Sequence, residues 1–554
     1  MKQIRKKAKS RRRTTIFITG GVMSGVGKGV TTASIGALLK ARGLKVTAVK
    51  IDPYLNVDPG TMNPIEHGEV FVTKDGLETD QDLGNYERFL DEDLGRINYM
   101  TSGSIFQTII NRERAMGYHG KTVEWVPDVP NEIIGRIKAA AEIADADVTI
   151  VEIGGTVGEY QNLLYLEACR MMRLENPGSV LIGLVSYLPV PGNLGEMKTK
   201  PTQYAARSLN AAGLQPDLII CRSAQPIDEP RKRKLSVSCN VASEDVIAAP
   251  DVASIYDVPL KLEVQNVAER IIAKLKLKKN KVDGKKWREL SARIKRSVKP
   301  VKIGVVGKYF STGDFTLSDA YLSVLESIKH AAWHVGRKPE IVWLNSEGFE
   351  KDHADFNKQM KQLDGILIPG GFGSRGIEGK MMAIKYAREH KLPYLGLCYG
   401  MQLALVEIAR NELNWKDANT TEINPETAHP VIHLMDEQEK KMEDKNYGGS
   451  MRLGDYPCVL KKGTKTRQLY REEIVRERHR HRYEANPMYR EDFESKGVVF
   501  SGLSPDNKLA EIIELKNHPF FIASQFHPEF TSRPFRPNPL FLGFVKAAAQ
   551  NKKR

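Results

Sequence analysis

A chain of 554 residues with 41% hydrophobic content is long enough to bury more than one core, so its composition indicates a globular protein of two or three domains. Its formal net charge of +15 is concentrated in two stretches, since residues 1–13 contribute +8 and residues 274–299 contribute +10. The rest of the chain carries about −3, which argues against a nucleic-acid-binding surface on the folded domains.

The five cysteines are widely spaced, odd in number and without a C-x-x-C pair, which argues against a disulfide framework and a structural zinc site. This usage predicts a reducing compartment, the cytoplasm. No uninterrupted apolar stretch approaches the roughly 18 residues that cross a bilayer, so no membrane span is expected. The basic start of the chain also lacks the long apolar region and the cleavage site of a targeting peptide.

Residues 1–13, MKQIRKKAKSRRR, are predicted to form a basic, solvated and disordered tail, because a block of like charges cannot build a core. A contact of this tail with RNA or another polyanion is the alternative, and it is the one place where nucleic acid is considered as a partner. In either case the tail is predicted to be dispensable for catalysis.

Short β-branched runs alternate with helical stretches along residues 14–277, which predicts a parallel sheet covered by helices and hence an α/β domain. A closing helix is predicted over residues 256–277. The predicted strands are residues 14–20, 45–51, 147–153, 179–187 and 216–222.

The segment TGGVMSGVGKGVTTASIG, residues 19–36, follows the first predicted strand and precedes a helix, which is the setting of a phosphate-binding loop. It departs from G-x-x-x-x-G-K-[ST], because Val22 stands where the first glycine belongs and Gly29 replaces the hydroxyl residue after Lys28. That hydroxyl normally ligates Mg²⁺, so carboxylates are expected to hold the ion here. The candidates are Asp82 and Glu152.

A Lys-rich stretch over residues 278–300 is predicted to be a basic linker between two domains. A second series of strands then begins and predicts a second α/β domain over residues 301–554. Its predicted strands are residues 300–309, 340–345, 364–371 and 393–397.

Residues 396–400 form the pattern G-x-C-x-G around Cys398, the cysteine counterpart of a nucleophile elbow. Small residues on both sides allow a tight strand-to-helix turn, and the positive end of the helix favours a thiolate. The segment QFHPEF, residues 525–530, supplies His527 as a base and Glu529 as the carboxylate that orients it, on one face if the segment is extended.

These residues resemble the class I glutamine amidotransferases, which release ammonia from glutamine through a thioester. The resemblance implies a nucleophile, base and carboxylate in Cys398, His527 and Glu529, with an oxyanion donor near Gly371. It further implies that Glu422 and Arg482 hold the amino-acid end of the substrate. The other implied glutamine-site residues are Tyr399, Gly400, Met401 and Gln402.

Longer motifs are similar to those of the CTP synthase family over nearly the whole chain from Thr14 to about Ala549. In that family ATP phosphorylates O4 of UTP, and ammonia released from glutamine displaces the phosphate to give CTP. The resemblance implies a phosphate-loop NTPase-like domain followed by a flavodoxin-like class I glutamine amidotransferase domain. It also implies Mg²⁺ as cofactor, GTP as activator, CTP as inhibitor and a homotetramer. The motifs are residues 50–89, VEIGGTVGE (151–159), GEMKTKPTQ (195–203) and VRERHRHRYE (475–484).

Carried onto matching positions, the resemblance implies a set of residues for each nucleotide. The ATP set is Ser24, Gly25, Val26, Gly27, Lys28, Gly29, Val30, Asp82, Asp251 and Val252. The UTP and CTP set is Ser24, Glu159, Tyr160, Gln161, Lys198, Thr199, Lys200, Pro201, Thr202, Gln203 and Lys234.

The resemblance also assigns roles to single residues. Lys28 and Lys50 stabilise charge on the transferring phosphoryl group, while Asp82 and Glu152 bind Mg²⁺. His67 resembles the residue that gates the ammonia path. The lid near which GTP acts is represented by Phe372 and Arg375.

One segment departs from the family, because Asp-Ile-Glu is common after GGTVG whereas this chain has Glu159, Tyr160 and Gln161. Two rival functions stay open from sequence. A cobyric-acid type of amidotransferase also joins a phosphate-loop domain to a glutaminase, but it would amidate carboxylates and has no use for KTKPTQ. A nucleotide-switched scaffold or filament protein would not need an intact set of Cys398 and its two partners.

Overall fold

The computed structural model describes residues 12–62, 64–192, 195–278, 283–307, 311–312, 315–316, 318–351, 353–434 and 451–551. By their contacts, these residues form two compact units. The first comprises the described chain up to Asp58 together with Asn85–Ser291, and the second comprises Pro59–Gly84 together with the chain from Ala292 onward. Most of the predicted basic tail and residues 279–282 of the predicted linker lie outside the described residues.

The first unit is built on a parallel sheet, which has seven strands within the described residues. Each predicted strand of this part of the chain is present, and the central strand is buried along its whole length because helices cover both faces. The strands in spatial order are Tyr99–Thr101, Val46–Asp52, Val148–Ile153, Thr14–Gly21, Val180–Tyr187, Leu218–Ser223 and Val246–Pro250.

Helices make the crossovers between these strands, as parallel pairing requires. Their apolar sides and the sheet form one large core. The helices in and next to this unit are Lys28–Lys40, Asp82–Leu90, Ser102–Arg114, Trp125–Ile143, Leu163–Glu175, Lys200–Ala211, Glu229–Cys239, Val258–Glu263, Val267–Leu275 and Lys285–Arg296.

Two predicted features around residues 256–300 differ from the structure. The closing helix is broken into Val258–Glu263 and Val267–Leu275, because Asn266 takes a left-handed φ of +56° that a continuous helix cannot accommodate. The predicted linker contains a helix whose Trp287 is buried against the rings of Phe89 and Tyr256. Aromatic burial, which charge composition does not reveal, orders this basic segment.

The second unit is built on a mixed sheet, which has nine strands within the described residues. Strands of its first half are parallel and those of its second half antiparallel. The predicted α/β class is thus confirmed for both halves of the chain. The strands in spatial order are Lys338–Asn345, Pro300–Gly307, Gly365–Ile368, Tyr394–Leu397, Phe521–Ser524, Ala510–Leu515, Val498–Leu503, Arg452–Leu460 and Ile474–His481.

Both faces of this sheet are covered, since Tyr394 belongs to one buried cluster whereas Leu395 and Leu397 belong to another. A smaller sheet contains Asn419–Thr420, Pro430–Leu434 and Tyr483–Ala485. The helices of this unit are Pro64–His67, Leu322–His334, Ser346–Phe349, His353–Met360, Ile377–Glu389, Tyr399–Asn411, Lys465–Tyr470, Arg490–Ser495 and Pro539–Gln550.

An antiparallel hairpin of strands Val70–Val72 and Glu78–Asp80 also belongs to the second unit. The sequence-based boundary at residues 14–277 includes this hairpin in the first domain. The contacts of the hairpin differ from that assignment, because the residues that it packs against lie in the second unit. One of them is Leu453, whose backbone carbonyl is so close to Gly76 that a Cβ there would have no room. The domain boundaries themselves stay predictions.

Candidate active sites

Cys398 lies at the turn between strand Tyr394–Leu397 and helix Tyr399–Asn411. Its backbone has φ +49° and ψ −97°, a region that non-glycine residues enter at a cost of about 1–3 kcal/mol. The flanking glycines are required: a Cβ on Gly400 would lie 2.4 Å from a neighbouring backbone carbonyl, and one on Gly396 would lie 2.6 Å from a tyrosine hydroxyl. The G-x-C-x-G pattern therefore folds as a nucleophile elbow.

The Cys398 thiol has polar neighbours in a buried setting. The side-chain amide of Gln525 donates to Sγ at 3.6 Å, and the thiol lies 3.9 Å from the carbonyl oxygen of Arg480. The backbone N–H of Cys398 donates to Ser524 in the next strand at 2.7 Å, which holds the elbow in place.

His527 and Glu529 are joined by a hydrogen bond of 2.6 Å between Nδ1 and Oε1, and both side chains are buried. Burial by itself lowers the pKa of His527, but the negative charges of Glu529 and Cys398 outweigh it and raise that pKa to about 10. The imidazolium is therefore the stable form of His527. The segment is not extended as assumed from sequence, since the 3-10 turn Pro528–Phe530 brings the carboxylate back to the ring.

A cavity of about 300 Å³ in the second unit opens onto Cys398 and His527. Of the residues implied for the glutamine site, Gly371, Gln402, Glu422 and Arg482 line it.

Three further implied residues, Tyr399, Gly400 and Met401, are not among the described lining residues. Met401 is fully buried in the core, and the Tyr399 hydroxyl donates to Gly373 at 2.8 Å. The reason is helical geometry, because successive residues of a helix point about 100° apart and only Gln402 faces the cavity.

Opposite charges line the cavity, as binding of a zwitterionic amino acid requires. Glu422 accepts a hydrogen bond from the backbone N–H of Gly373 at 2.8 Å, which fixes it to the loop after strand Gly365–Ile368. Gln402 donates to the carbonyl of Tyr483 at 2.9 Å, next to Arg482 in sequence. The Glu422 carboxylate and the Arg482 guanidinium thus reach one cavity from different elements.

A closed ring of five buried side chains adjoins this cavity through His481. Arg452 donates to Glu484 at 2.9 Å and to Glu511 at 2.8 Å. His479 Nδ1 lies 2.8 Å from His481 Nε2. The ring closes because His479 lies 3.5 Å from Glu511 and His481 lies 3.5 Å from Glu484. Burial lowers the pKa of both histidines and raises that of both glutamates.

The phosphate loop joins strand Thr14–Gly21 to helix Lys28–Lys40 in the first unit. Gly25 and Gly27 have φ values of +71° and +89°, which glycine adopts without strain. Val22, at the place of the usual first glycine, has φ +80°. The backbone is therefore that of a glycine loop even where the residue is not glycine, and Val22 stores the strain.

Lys28 lies buried at the start of the helix, where its Nζ donates to the carbonyl of Gly155 at 2.8 Å. A Cβ on Gly20 would lie 2.8 Å from both that carbonyl and Nζ, so glycine is needed at the end of the strand. The hydrogen bond to this backbone carbonyl holds the lysine close to the loop.

Lys50 and Glu152, from adjacent strands, form a buried ion pair of 3.1 Å. The second carboxylate oxygen of Glu152 accepts from the Tyr86 hydroxyl, and Asp52 lies 3.6 Å from the lysine. The carboxylate is a hard oxygen ligand that suits Mg²⁺, and a bound cation would share it with Lys50.

Asp82 and His67 belong to the second unit by their contacts. Asp82 begins the helix Asp82–Leu90, and its backbone N–H donates to Asp80 at 2.8 Å. His67 Nε2 lies 3.9 Å from the same carboxylate. Asp80 thus connects two residues that sequence reasoning singled out separately.

Arg222 connects the phosphate loop to residues implied for ATP. Its Nε lies 3.4 Å from where a Cβ on Gly27 would be, and its guanidinium donates to Asp251 at 2.8 Å. Val252, half-buried, follows directly. Asp251 is therefore close to the loop although it lies far along the chain.

Six of the residues implied for UTP, residues 198–203, lie at the start of helix Lys200–Ala211. Lys198 forms an ion pair with Glu196 at 2.7 Å. The carbonyl of the preceding Met197 accepts a hydrogen bond from Arg231 of helix Glu229–Cys239, and this helix also carries Lys234. Within the set implied for UTP, Lys200 and Lys234 are exposed, Lys198 is half-buried, and Thr199, Thr202 and Gln203 are buried.

The segment Glu159, Tyr160 and Gln161 is largely solvent-facing, with Tyr160 94% exposed. Glu159 accepts from the backbone N–H of Thr156 and from the side-chain amide of Gln161, both at 2.7 Å. The amide that replaces the family's usual carboxylate thus binds a neighbouring carboxylate. A second carboxylate at residue 161 would repel Glu159 instead.

Comparisons with known proteins cover both units. The family model described as CTP synthase N-terminus matches residues 14–277, and that described as glutamine amidotransferase class-I matches residues 316–547. A CTP synthase of Caldanaerobacter subterraneus subsp. tengcongensis is 51% identical over 96% of this chain and 97% of its own length. That of Pelotomaculum thermopropionicum is 50% identical over 97% and 98%.

The chain belongs to the CTP synthase family. It is accordingly an enzyme of the ligase class, and enzymes of this family act on UTP, ATP and glutamine. A solved glutaminase domain of Trypanosoma brucei CTPS with bound acivicin is 38% identical, with a TM-score of 0.41 over 46% of this chain and 95% of that one. Within the residues described, no helix combines the length and apolar character that a bilayer crossing needs.

Sequence reasoning missed several residues that touch the sites of this CTP synthase family member. Gln525 and Phe530 lie inside the quoted QFHPEF, where only the histidine and the glutamate drew attention. Tyr86 and Asp80 lie inside residues 50–89, a motif similar to the family's, and Arg222 ends a predicted strand. These residues could have been found from the sequence by their position, either at the carboxyl end of a predicted strand or within a distinctive motif.

Proposed function

We propose that this enzyme converts UTP, ATP, glutamine and water into CTP, ADP, phosphate and glutamate, with Cys398, His527 and Glu529 releasing the ammonia. The observation that supports this most directly is the 2.6 Å hydrogen bond between His527 and Glu529 beside a cavity that Cys398, Glu422 and Arg482 also line. A scaffold would not need a buried imidazolium next to a strained cysteine.

In the glutaminase step, the Cys398 thiolate attacks the side-chain carbonyl carbon of glutamine. His527 gives its proton to the departing nitrogen, so ammonia leaves and a thioester remains. His527 then takes a proton from water, whose oxygen cleaves the thioester to glutamate and regenerates the thiolate. Backbone N–H groups near Gly371 and at the helix start stabilise the oxyanion in both halves.

In the synthetase step, the γ-phosphoryl group of ATP passes to O4 of UTP and ADP leaves; ammonia then attacks C4 and phosphate leaves. The loop Ser24–Val30 binds ATP, and Lys28 and Lys50 stabilise the charge on the transferring group. Asp82 and Glu152 would hold Mg²⁺, which when bound offsets phosphate charge. The Glu152 carboxylate, with Lys50 at 3.1 Å, fits such a shared role.

The remaining assignments extend this proposal. Lys198, Lys200 and Lys234 bind the UTP triphosphate, whose charge calls for several cations. His67 gates the ammonia path. GTP activates near Phe372, CTP inhibits at the UTP triphosphate site, and the enzyme acts as a homotetramer. The five buried, unbridged cysteines support a cytoplasmic location.

Product analysis with UTP, ATP, Mg²⁺ and glutamine tests the proposal. The wild type should form CTP from either glutamine or added ammonia. Cys398→Ala should lose the glutamine-dependent reaction and keep the ammonia-dependent one, because only the first needs the thiol. Failure of the wild type to consume UTP, or loss of both reactions in a folded variant, would overturn the assignment.

A further inference from the structure

The hairpin of strands Val70–Val72 and Glu78–Asp80, which we call the support hairpin, lies in the second unit although the N-terminal family model includes it. The three side chains proposed for glutamine hydrolysis lie in the part matched by the amidotransferase model. Separate contacts lead from the support hairpin and the adjoining Glu69 to each of the three residues that carry those side chains.

The route to His527 is aromatic. The ring of Phe530 stacks on the His527 ring with centroids 5.2 Å apart and planes at 16°, and the buried Phe71 of the support hairpin meets Phe530 edge-on at 5.1 Å. The Arg478 guanidinium covers Phe71 at 5.5 Å, while its carbonyl accepts the backbone N–H of His527 at 2.8 Å. Phe71 therefore fixes the plane against which the imidazole rests.

The route to Glu529 runs through the helix Leu322–His334. Glu69, next to the support hairpin, accepts from the backbone N–H of Ser323 at 2.9 Å and from its hydroxyl at 2.5 Å. One turn on, the Ser327 hydroxyl donates to the backbone carbonyl of Glu529 at 3.3 Å. Glu69 thus caps the helix that holds the turn carrying the orienting carboxylate.

The route to Cys398 passes through a single arginine. Glu78 of the support hairpin accepts from Arg480 Nε at 2.7 Å, and the carbonyl oxygen of Arg480 is the one that lies 3.9 Å from the Cys398 thiol. Arg480 also lines the cavity. Its backbone position beside the thiol is therefore tied to the support hairpin.

We propose that the support hairpin positions the glutaminase side chains, with Glu69, Phe71 and Glu78 as positioning residues. The inference rests on the proposed roles of Cys398 and His527. A misplacement of about 1 Å in such a site costs on the order of 100-fold in rate, so small shifts transmitted by these contacts are consequential. Glutamine hydrolysis then depends on residues that the family's N-terminal model contains.

Phe71→Leu in the full-length enzyme tests this. It removes the edge contact to Phe530 while keeping an apolar side chain. We expect the rate of glutamine hydrolysis, measured as glutamate release, to fall about tenfold, with ammonia-dependent CTP formation within about twofold of wild type. The matched control is Phe544→Leu, a fully buried phenylalanine of the same unit whose ring contacts Phe520. This control should be destabilised about as much as Phe71→Leu, but it should hydrolyse glutamine at the wild-type rate.

The rate of Cys398 alkylation by iodoacetamide near neutral pH separates positioning from general destabilisation. Burial raises the pKa of the other four thiols, so reaction near neutral pH reports on Cys398. If the imidazole loses its support in Phe71→Leu, the rate of alkylation should fall. It should not change in Phe544→Leu.

Glu78→Gln is the second variant, since it keeps the side-chain shape and weakens only the Arg480 contact. It should lower glutamine hydrolysis several-fold and spare the ammonia-dependent reaction, and Glu78→Asp should restore part of the loss. Wild-type hydrolysis in both Phe71→Leu and Glu78→Gln, or equal losses of both reactions, would refute the positioning role. Cys398→Ala run in parallel identifies failure of the proposed function itself, because it would then still hydrolyse glutamine.

Discussion

At the scale of single residues, the positions with proposed roles are those that depart from the usual backbone conformation or the usual protonation state. Cys398 has a positive φ, Val22 takes a glycine conformation, and His527 holds a proton in a buried site where burial alone would remove it. Each departure is maintained by close neighbours, such as the glycines beside the elbow and Glu529 beside the ring. Strain of this kind has a function because it presents the reactive atom.

Lys28→Ala should stop CTP formation with either nitrogen source. Removing the ammonium group that contacts Gly155 takes away charge stabilisation from phosphoryl transfer, and we expect a loss of about 100-fold or more. Glutamate release in the same variant is the control, because hydrolysis of glutamine needs no phosphoryl transfer. CTP synthesis at the wild-type rate would contradict the role of Lys28.

At the scale of elements, the antiparallel half of the nine-stranded sheet carries four members of the buried ring, Arg452, His479, His481 and Glu511, and the smaller sheet supplies Glu484. Two of the ring's contacts each need one hydrogen: the contact between the two imidazoles, and the contact from His481 Nδ1 to a backbone carbonyl at 3.2 Å. Two neutral imidazoles supply these two N–H groups. Burial raises the pKa of both carboxyl groups, which favours a proton on one of them.

The stability of the folded enzyme should depend on the protonation of Glu484. Burial raises the pKa of Glu484 from 4.5 to about 8, so the folded state binds a proton that the unfolded chain has released. Because the native pKa is the higher one, this stabilising contribution is complete below about pH 4.5 and is lost as pH rises through about 8. The folded enzyme should become less stable over that interval.

Glu484→Gln should flatten this dependence, since an amide cannot titrate. Thermal unfolding midpoints between pH 6 and pH 8.5 measure it, and the wild type should fall more steeply than the variant. Glu473→Gln, with a 76% exposed side chain, is the matched control and should retain the wild-type slope. Identical slopes in all three proteins would show that Glu484 is ionised throughout.

At the scale of the whole molecule, the proposed chemistry is divided between two units, while the excess positive charge belongs to two stretches of the sequence. The phosphate loop belongs to the first unit and the cysteine elbow to the second. The net charge of +15 arises from residues 1–13 and 274–299, neither of which contains a residue proposed for either site. A block of like charges adds neither a core nor a ligand site, so it is expected to be neutral for catalysis.

Deleting residues 2–11 should therefore leave turnover nearly unchanged. Arg12 is retained because its guanidinium donates to the carbonyl of Gly178 at 2.7 Å. Steady-state CTP formation at low and at physiological salt is the measurement, with the native mass of the assembly as control. A large fall in turnover at low salt with an unchanged mass would mean that the tail contributes to catalysis.

Much of the architecture follows from local pattern. Alternating β-branched and helical runs place the strands because side-chain periodicity is a property of neighbouring residues. The turn at Cys398 and the loop at Gly27 are equally local, since glycine spacing decides which backbone conformations are open. Asn266 and Trp287 lie beyond such reasoning, because a helix break and an ordered linker depend on packing partners distant in sequence.

Neighbouring residues were enough to predict the α/β class, the phosphate loop, the elbow and the candidate pair of His527 and Glu529, because each depends on a short stretch of chain. That Tyr399 and Met401 turn away from the cavity, and that a buried ring adjoins it, became visible only in the folded chain. It alone brought Phe71 against Phe530, since such contacts join residues hundreds of positions apart. Burial and charge pairing arise from these long-range contacts, and no local pattern encodes them.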